Sequence, residues 1–351
     1  MKLKLVVIGA ILNLIIGFTA YNLQPTKINY NSSSENATFK RPPNFPEPSY
    51  DFEYYPVTPA GFKLGRLLFY EPLLSLDQSI TCANCHQSFA AFSNLNFPVS
   101  HGIKQCAGSR NTPALFNLAW DKSFMWDGSV HDLRHTVNRA ITNRCELAID
   151  LNIVSARLQT TEPYPLLFDA AFKSVKISPE RVVDALTQFM CAMVSSNSRY
   201  DKYARHERGA DFTEVEKQGY VLFKKKCNTC HAEPLFTDHS YRSNGLDLQS
   251  GDYGRFIITN SPNDKFKFRV PSLRNVEVTA PYMHDGRFAT LKDVMAHYSN
   301  GISQKTNPDI ALINNGVTGL RLSNDDQTKI VAFLKTLTDK GFINDKRFQI
   351  P

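Results

Sequence analysis

The chain has 351 residues, enough for about two domains of roughly 100–200 residues each. With 42% hydrophobic residues it can bury substantial cores, so the composition implies neither a disordered chain nor a membrane bundle. The formal net charge of +7 is a mild excess without a Lys/Arg run of the kind that tracks nucleic acid, so we expect no nucleic-acid partner.

The N-terminus has the layout of an export signal, with a basic start followed by a largely apolar stretch from Leu5 to Ala20. No Ala-x-Ala cleavage site follows it, and the stretch read on to Leu23 approaches the ~20 residues that span a bilayer. Residues 1–23 are therefore either a signal peptide or a membrane anchor. Both alternatives put the rest of the chain in the periplasm, free or tethered to the outer face of the inner membrane.

Residues 24–57 are rich in Asn, Ser, Pro and Tyr and predict a flexible tether. Beyond them the apolar spacing is mainly helical. One helix face is formed by Val182, Leu186, Phe189 and Met193.

A second helix begins near the C-terminus at a capping box, Ser323-x-x-Asp326. Its apolar face consists of Ile330, Phe333, Leu334 and Leu337. By contrast, residues 87–130 and 232–288 show no sustained period and contain several Gly, Pro and Asn residues. They predict long irregular loops, and loops of that length are usually functional.

An internal repeat organises the chain. The run Pro113-Ala-Leu-Phe-Asn117 recurs as Pro271-Ser-Leu-Arg-Asn275, and Met125-Trp-Asp-Gly128 recurs at the same distance as Met283-His-Asp-Gly286. This ordered set predicts two duplicated domains. We assign them to residues 58–205 and 206–351.

Two Cys-x-x-Cys-His motifs carry the strongest chemical signal. They are Cys82-Ala-Asn-Cys85-His86 and Cys227-Asn-Thr-Cys230-His231. In this signature two thiols on one turn bond the vinyl groups of a porphyrin, and the histidine lies beneath the iron. A zinc site would not need a histidine after each pair, and a thioredoxin-like pair would need a βαβ setting. We therefore expect two covalently bound haem c groups.

Three further cysteines lie outside these motifs. Cys191 falls in a predicted helix and is best interpreted as a small buried hydrophobe. Cys106 and Cys145 flank segments that are assigned below to the first haem pocket. In an oxidising compartment they form either a disulfide or two free buried thiols.

The motifs, the repeat and three phrases together resemble the bacterial di-haem cytochrome c peroxidases. The phrases are Arg110-Asn-Thr-Pro-Ala-Leu, Trp126-Asp-Gly and Val270-Pro-Ser-Leu-Arg-Asn-Val-Glu-Val-Thr-Ala-Pro-Tyr-Met-His-Asp-Gly. The family includes the MauG branch, which matures tryptophan tryptophylquinone. The resemblance covers residues 58–340. It implies a mainly α fold with two duplicated cytochrome c-type domains, each wrapped around one covalent haem, with long irregular loops.

The resemblance implies roles at the first haem, which reacts with peroxide in this family. His86 is the expected proximal iron ligand, and His101 is the expected distal ligand that leaves on activation. Glu146 matches the glutamate that acts as acid–base catalyst over the peroxide site. Trp126 matches the tryptophan between the two haems, where an indole can relay an electron.

The resemblance also implies a calcium ion between the domains. Asn111 and the main-chain carbonyls of Thr279 and Pro281 match its ligands, and oxygen atoms suit this hard cation.

At the second haem, the electron-entry side, His231 is the expected proximal ligand. Peroxidases of the family usually have a methionine ligand at a fixed distance after the proline that matches Pro281. At that distance this sequence has Tyr298. Tyrosine is the MauG-like choice, and an anionic phenolate stabilises oxidised iron whereas methionine raises the potential. Met295 and Met283 lie close enough in sequence to serve instead.

The resemblance therefore implies an oxidoreductase of the cytochrome-c peroxidase type, which reduces hydrogen peroxide to water. A small redox protein, either a cytochrome c or a cupredoxin, is the expected electron donor. One rival interpretation is a MauG-like enzyme that uses peroxide-derived high-valent iron to oxidise residues of a partner protein. Another is a di-haem cytochrome that only transfers electrons. The resemblance also allows a homodimer.

Overall fold

The computed structural model describes residues 39–95, 97–246 and 251–351. This part of the chain is mainly helical with little sheet, as the sequence predicts. The helices are α1 (Pro59–Phe69), α2 (Cys82–Cys85), α3 (Leu133–Thr142), α4 (Leu151–Gln159), α5 (Tyr164–Phe172), α6 (Pro179–Cys191), α7 (Arg199–Ala204), α8 (Glu214–Lys226), α9 (Phe256–Thr259), α10 (Leu291–Ala296), α11 (Asn324–Lys335) and α12 (Lys340–Ile343). Two short antiparallel pairs join β1 (Tyr241–Arg242) to β2 (Phe268–Arg269) and β3 (Ile313–Asn314) to β4 (Val317–Thr318).

The first hydrophobic cluster forms where α1 packs against α6. The predicted apolar face is confirmed, because Val182, Leu186 and Phe189 are buried in α6 and Met193 is buried just beyond its end. Gly65 of α1 allows the close approach of the two helices, since a Cβ at this position would collide with the backbone of α6.

The second hydrophobic cluster forms where α8 packs against α11. The predicted capping box at Ser323 and Asp326 is confirmed and begins α11. Phe333 of α11 packs its ring against those of Phe223 in α8 and Phe236 in the following loop. This packing fixes the end of α8, where the second Cys-x-x-Cys-His motif begins.

The C-terminal segment returns to the first cluster. Phe342 and Phe348 are buried there, and Tyr70 at the end of α1 donates a hydrogen bond from its hydroxyl to the Phe348 carbonyl at 2.7 Å. Otherwise the first cluster takes its buried residues from positions 62–193 and the second from 200–337. The duplication itself stays a prediction.

In residues 39–57, the last part of the predicted tether, several residues contact Trp120. They are Phe39, Phe45, Pro46 and Ser49. The indole Nε1 of Trp120 donates to the Pro46 carbonyl at 2.8 Å, and Phe45 is buried against the indole ring. Phe39, Tyr50 and Phe52 pack against the same small cluster of Phe45 and Trp120, so these aromatic side chains belong to the packed body.

The predicted signal peptide or anchor, residues 1–23, lies outside the described residues, as does the tether up to residue 38. Among residues 39–95, 97–246 and 251–351, no helix combines the length and the apolar character needed to span a bilayer.

Candidate active site

The second Cys-x-x-Cys-His motif follows α8 directly and opens into a mostly apolar cavity. Cys227 caps the C-terminus of α8, and Cys227, Cys230 and His231 all line the cavity. The Nδ1 atom of His231 is hydrogen-bonded to the main-chain carbonyls of Phe236 and Pro271, each at 3.2 Å. Since a carbonyl only accepts, Nδ1 carries the proton and Nε2 is the nitrogen that can bind a metal.

The first motif has the same construction. His86 follows the single turn of α2, and its Nδ1 is hydrogen-bonded to the Phe92 carbonyl at 2.8 Å. Burial lowers the pKa of His86 to about 4 and also lowers that of His231, because an imidazolium is poorly solvated among protein atoms. Both histidines are therefore neutral at pH 7, which is the form that ligates iron.

These residues fit a covalently attached porphyrin. The four motif thiols, Cys82, Cys85, Cys227 and Cys230, are in no disulfide, and each pair precedes a histidine with an available Nε2. At the second motif the adjoining cavity has the apolar walls that a macrocycle requires. The thiols would form the thioether bonds, while His86 and His231 would hold the two irons.

Glu146 lies beside the first motif although 60 positions in the printed sequence separate it from His86. Burial raises the pKa of the Cys82 thiol to about 12, and the neighbouring Cys85 thiol and the Glu146 carboxylate add to the rise. Burial likewise raises the pKa of Glu146 to about 7, against the opposing effects of Asn143 and Arg139. The amide of Asn143 donates to Glu146 Oε1 at 2.8 Å and orients the carboxyl group.

His101 is also brought to the first motif. Its main-chain carbonyl accepts a hydrogen bond from the Cys85 thiol at 3.4 Å, and its Nδ1 is hydrogen-bonded to the Val99 carbonyl at 3.0 Å. The imidazole packs against the ring of Phe97, with 4.3 Å between centroids. This arrangement leaves Nε2 as the nitrogen for a distal ligand role.

Cys106 and Cys145 are joined by a disulfide, with 5.0 Å between their Cα atoms. The alternative of two free thiols is therefore excluded, whereas Cys191 is free and buried in α6 as predicted.

Trp126 lies on the wall of the cavity that the second motif lines. Its indole Nε1 donates to the Asn111 carbonyl at 2.8 Å. Pro113 lines the same cavity, and its carbonyl is hydrogen-bonded to His86 of the first motif. Asn111, which accepts from the Trp126 indole, and Pro113 therefore belong to a short stretch that contacts both His86 and the cavity of the second motif.

Asn111, Thr279 and Pro281 also line this cavity together. The Asn111 amide nitrogen donates to the Pro98 carbonyl at 2.8 Å, so its Oδ1 is the atom that remains for a cation. The calcium ion stays a prediction.

Tyr298 lies in a single π-helical turn, His297–Gly301, that continues α10. Such turns occur frequently at functional sites. Tyr298 lines the cavity beside the second motif, as do Met283 and Met295. Burial raises the pKa of the Tyr298 phenol. The neighbouring His297 is engaged elsewhere, because its Nε2 is hydrogen-bonded to the Asn244 carbonyl at 2.9 Å.

Asn244 is a site residue that the sequence analysis missed. Its side chain is hydrogen-bonded to Tyr298, and its amide nitrogen donates to the Met283 sulfur at 3.2 Å. It therefore contacts two of the three candidate distal ligands. No local signal marks it, because it lies in an irregular loop.

The family profile described as "Di-haem cytochrome c peroxidase" matches residues 59–209. The methylamine utilization protein MauG of Methylorubrum extorquens is 33% identical over 309 residues, which cover 86% of this chain and 83% of that protein. The cytochrome c551 peroxidase of Nitrosomonas europaea is 32% identical over 291 residues, which cover 80% of this chain and 82% of that protein. This chain belongs to the di-haem cytochrome c peroxidase family.

A solved member of similar shape is a MauG-like protein associated with microbial copper homeostasis. It matches with a TM-score of 0.79 at 29% identity, over 89% of this chain and 99% of that chain. Relatives in the di-haem cytochrome c peroxidase family thus have two kinds of name, peroxidase and MauG. Membership of the family therefore does not decide between a peroxidase reaction and a MauG-like reaction for this protein.

Proposed function

We propose that this protein reduces hydrogen peroxide to water with electrons from a small redox protein, a cytochrome c or a cupredoxin. The observation that carries the proposal is the position of Glu146 beside the first Cys-x-x-Cys-His motif. Burial raises its pKa to about 7. A carboxyl group with a pKa near the working pH can both accept and return a proton, as cleavage of the O–O bond requires.

When bound, the two haems supply the redox chemistry, the delivery of two electrons to the O–O bond. Glu146 takes the proton from one peroxide oxygen and returns it to the other, which leaves as water. Two protons from solvent and the two electrons complete the second water. Asn143 orients the Glu146 carboxyl throughout, and His101 is the side chain that vacates the peroxide side.

The proposal is tested by peroxide consumption with the holoprotein and a reduced cytochrome c or reduced cupredoxin. We expect one peroxide consumed for every two donor molecules oxidised. The control is Glu146→Gln holoprotein, which measures the peroxide that the haems consume without the acid–base group. Peroxide consumption that does not depend on the reduced donor contradicts the proposal.

A second candidate function is oxidation of residues in a partner protein, and Tyr298 favours it. Its phenol lines the cavity beside the second motif, and as a distal ligand it would stabilise oxidised iron. The test is to incubate holoprotein and peroxide with periplasmic proteins of the host and to map oxidised Trp and Tyr by mass spectrometry. New peroxide-dependent products without any reduced donor support this function over the first.

We also propose a calcium ion held by Asn111 Oδ1 and the carbonyls of Thr279 and Pro281. The three residues line the same cavity, and amide and carbonyl oxygens suit Ca²⁺. Metal analysis should find about one calcium per chain, lost in Asn111→Ala. Calcium-free protein with full activity contradicts this assignment.

Export to the periplasm is proposed from two features. Covalent haem c attachment takes place outside the cytoplasm, and a disulfide such as Cys106–Cys145 is typical of an oxidising compartment. Retention of the full-length protein in carbonate-washed membranes would support an anchor in residues 1–23, whereas a soluble protein that begins near Tyr21 would support a cleaved signal.

A further inference from the structure

The Cys106–Cys145 disulfide joins two segments that the proposed reaction uses. Cys106 ends the loop that begins at His101, and Cys145 directly precedes Glu146. The bond therefore connects the segment of the expected distal ligand to the segment of the expected acid–base group. Neither segment is a regular helix or strand that could hold its own position.

Main-chain contacts connect the same two segments. The Ile103 amide donates to the Glu146 carbonyl at 3.0 Å. Gly102 packs closely on the Glu146 segment, because a Cβ at position 102 would collide with the carbonyl oxygen of Cys145. The Gly102 amide donates to the Cys106 carbonyl at 2.9 Å and closes the loop on itself.

The His101 loop also contacts the first attachment motif, since the Cys85 sulfur lies 3.4 Å from the His101 carbonyl oxygen. The disulfide and the main-chain hydrogen bond join the Glu146 turn to this loop. A displacement of the loop would therefore move both segments relative to the first motif.

We propose that Cys106, Cys145 and Gly102 are positioning residues, which join the His101 loop and the Glu146 turn into one unit at the first haem. The disulfide and the backbone contact hold the Glu146 carboxyl at its reacting distance. Misplacement of a reacting group by about 1 Å can cost about 10²-fold in rate. The kinetic consequence rests on the proposed function, whereas the structural connection does not.

The structural connection is tested by amide hydrogen exchange in the holoprotein. The variant combines Cys106→Ser with Cys145→Ser, and the matched control is Cys191→Ala, which removes a buried free thiol in α6. We expect exchange of the Ile103 amide to become about tenfold faster in the double variant and to stay unchanged in the control. Unchanged exchange in the double variant overturns the proposal.

The kinetic consequence is tested by the single-turnover reaction with peroxide. We expect the double variant to react about 10–10²-fold more slowly with both haems attached. Gly102→Ala keeps the disulfide and should give the same loss of rate. It therefore tests the proposal even if the double variant does not fold. Wild-type rates in both variants overturn the proposal. If the wild type does not react with peroxide, the proposed function fails, and the exchange measurement still decides the structural connection.

Discussion

The indole Nε1 of Trp126 donates a 2.8 Å hydrogen bond to the main-chain carbonyl of Asn111. The Trp126 carbonyl in turn accepts a hydrogen bond from the Arg269 amide of β2 at 2.7 Å. The residue is therefore held at both its side chain and its backbone, which fixes the indole on the cavity wall. A relay group between two redox sites needs such a fixed orientation.

Trp126→Phe should lower both stability and turnover. The Asn111 carbonyl loses its donor, which should cost about 1–3 kcal/mol in free energy of unfolding. Turnover with peroxide and a reduced donor should fall, because a phenyl ring is harder to oxidise than an indole. Trp120→Phe is the matched control, because it also loses an indole hydrogen bond, to Pro46, but lies outside the cavity lining. Equal turnover in the two variants would argue against a relay through Trp126.

The rate of the peroxide reaction should rise with pH through about 7 and level off above it. Burial raises the pKa of Glu146 to about 7, and only its ionised form can accept the peroxide proton. Glu146→Gln should remove this transition and lower turnover by about 10²–10⁴-fold, with both haem spectra kept. Glu53→Gln, which changes an exposed carboxyl group, should leave the profile as it is. Stopped-flow rates across the pH range provide the measurement, and a flat wild-type profile contradicts the role.

Tyr298 should be the distal ligand of the second haem. Replacement by Met or His should change the spectrum of this haem and raise its potential, because an anionic oxygen is lost. The resting wild type should lack the near-infrared band of His/Met ligation.

Met283→Leu and Met295→Leu serve as controls for Tyr298, because both methionines line the same cavity. Because Tyr298 is the expected ligand, neither variant should alter the spectrum. If either methionine variant changes the spectrum and Tyr298→Phe leaves it unchanged, the second haem has His/Met ligation and Tyr298 is not its ligand.

The purified protein should carry two haems that resist extraction after denaturation. Replacing both Cys227 and Cys230 by Ala should halve the pyridine haemochrome signal, because one of the two thiol pairs is lost. A Cys191→Ala control should keep the full signal, since this thiol is buried in α6 and belongs to neither motif. A wild type with one haem would contradict the two-site architecture.

The features that the sequence predicted correctly depend on residues close together in the chain. The apolar face of α6 and the capping box of α11 repeat within a few residues, so periodicity alone reveals them. The two Cys-x-x-Cys-His motifs, on which the prediction of covalent haem rests, are likewise local, because two thiols and an imidazole would have to reach one porphyrin from a single turn. The family assignment followed from these motifs and from the sequence segments around them.

Folding alone decided the features that join distant residues. No local signal marks three of these features. They are the pairing of Cys106 with Cys145, the contact of Asn244 with both Tyr298 and Met283, and the packing of Phe45 and Pro46 on Trp120. The pKa of Glu146 is another such feature, since the burial that raises it depends on the segments packed around the first motif. The physical reason is common to all of them. A periodic pattern or a motif constrains neighbours along the chain, whereas burial, hydrogen bonds and disulfides between loops depend on which distant segments the folded backbone brings into contact.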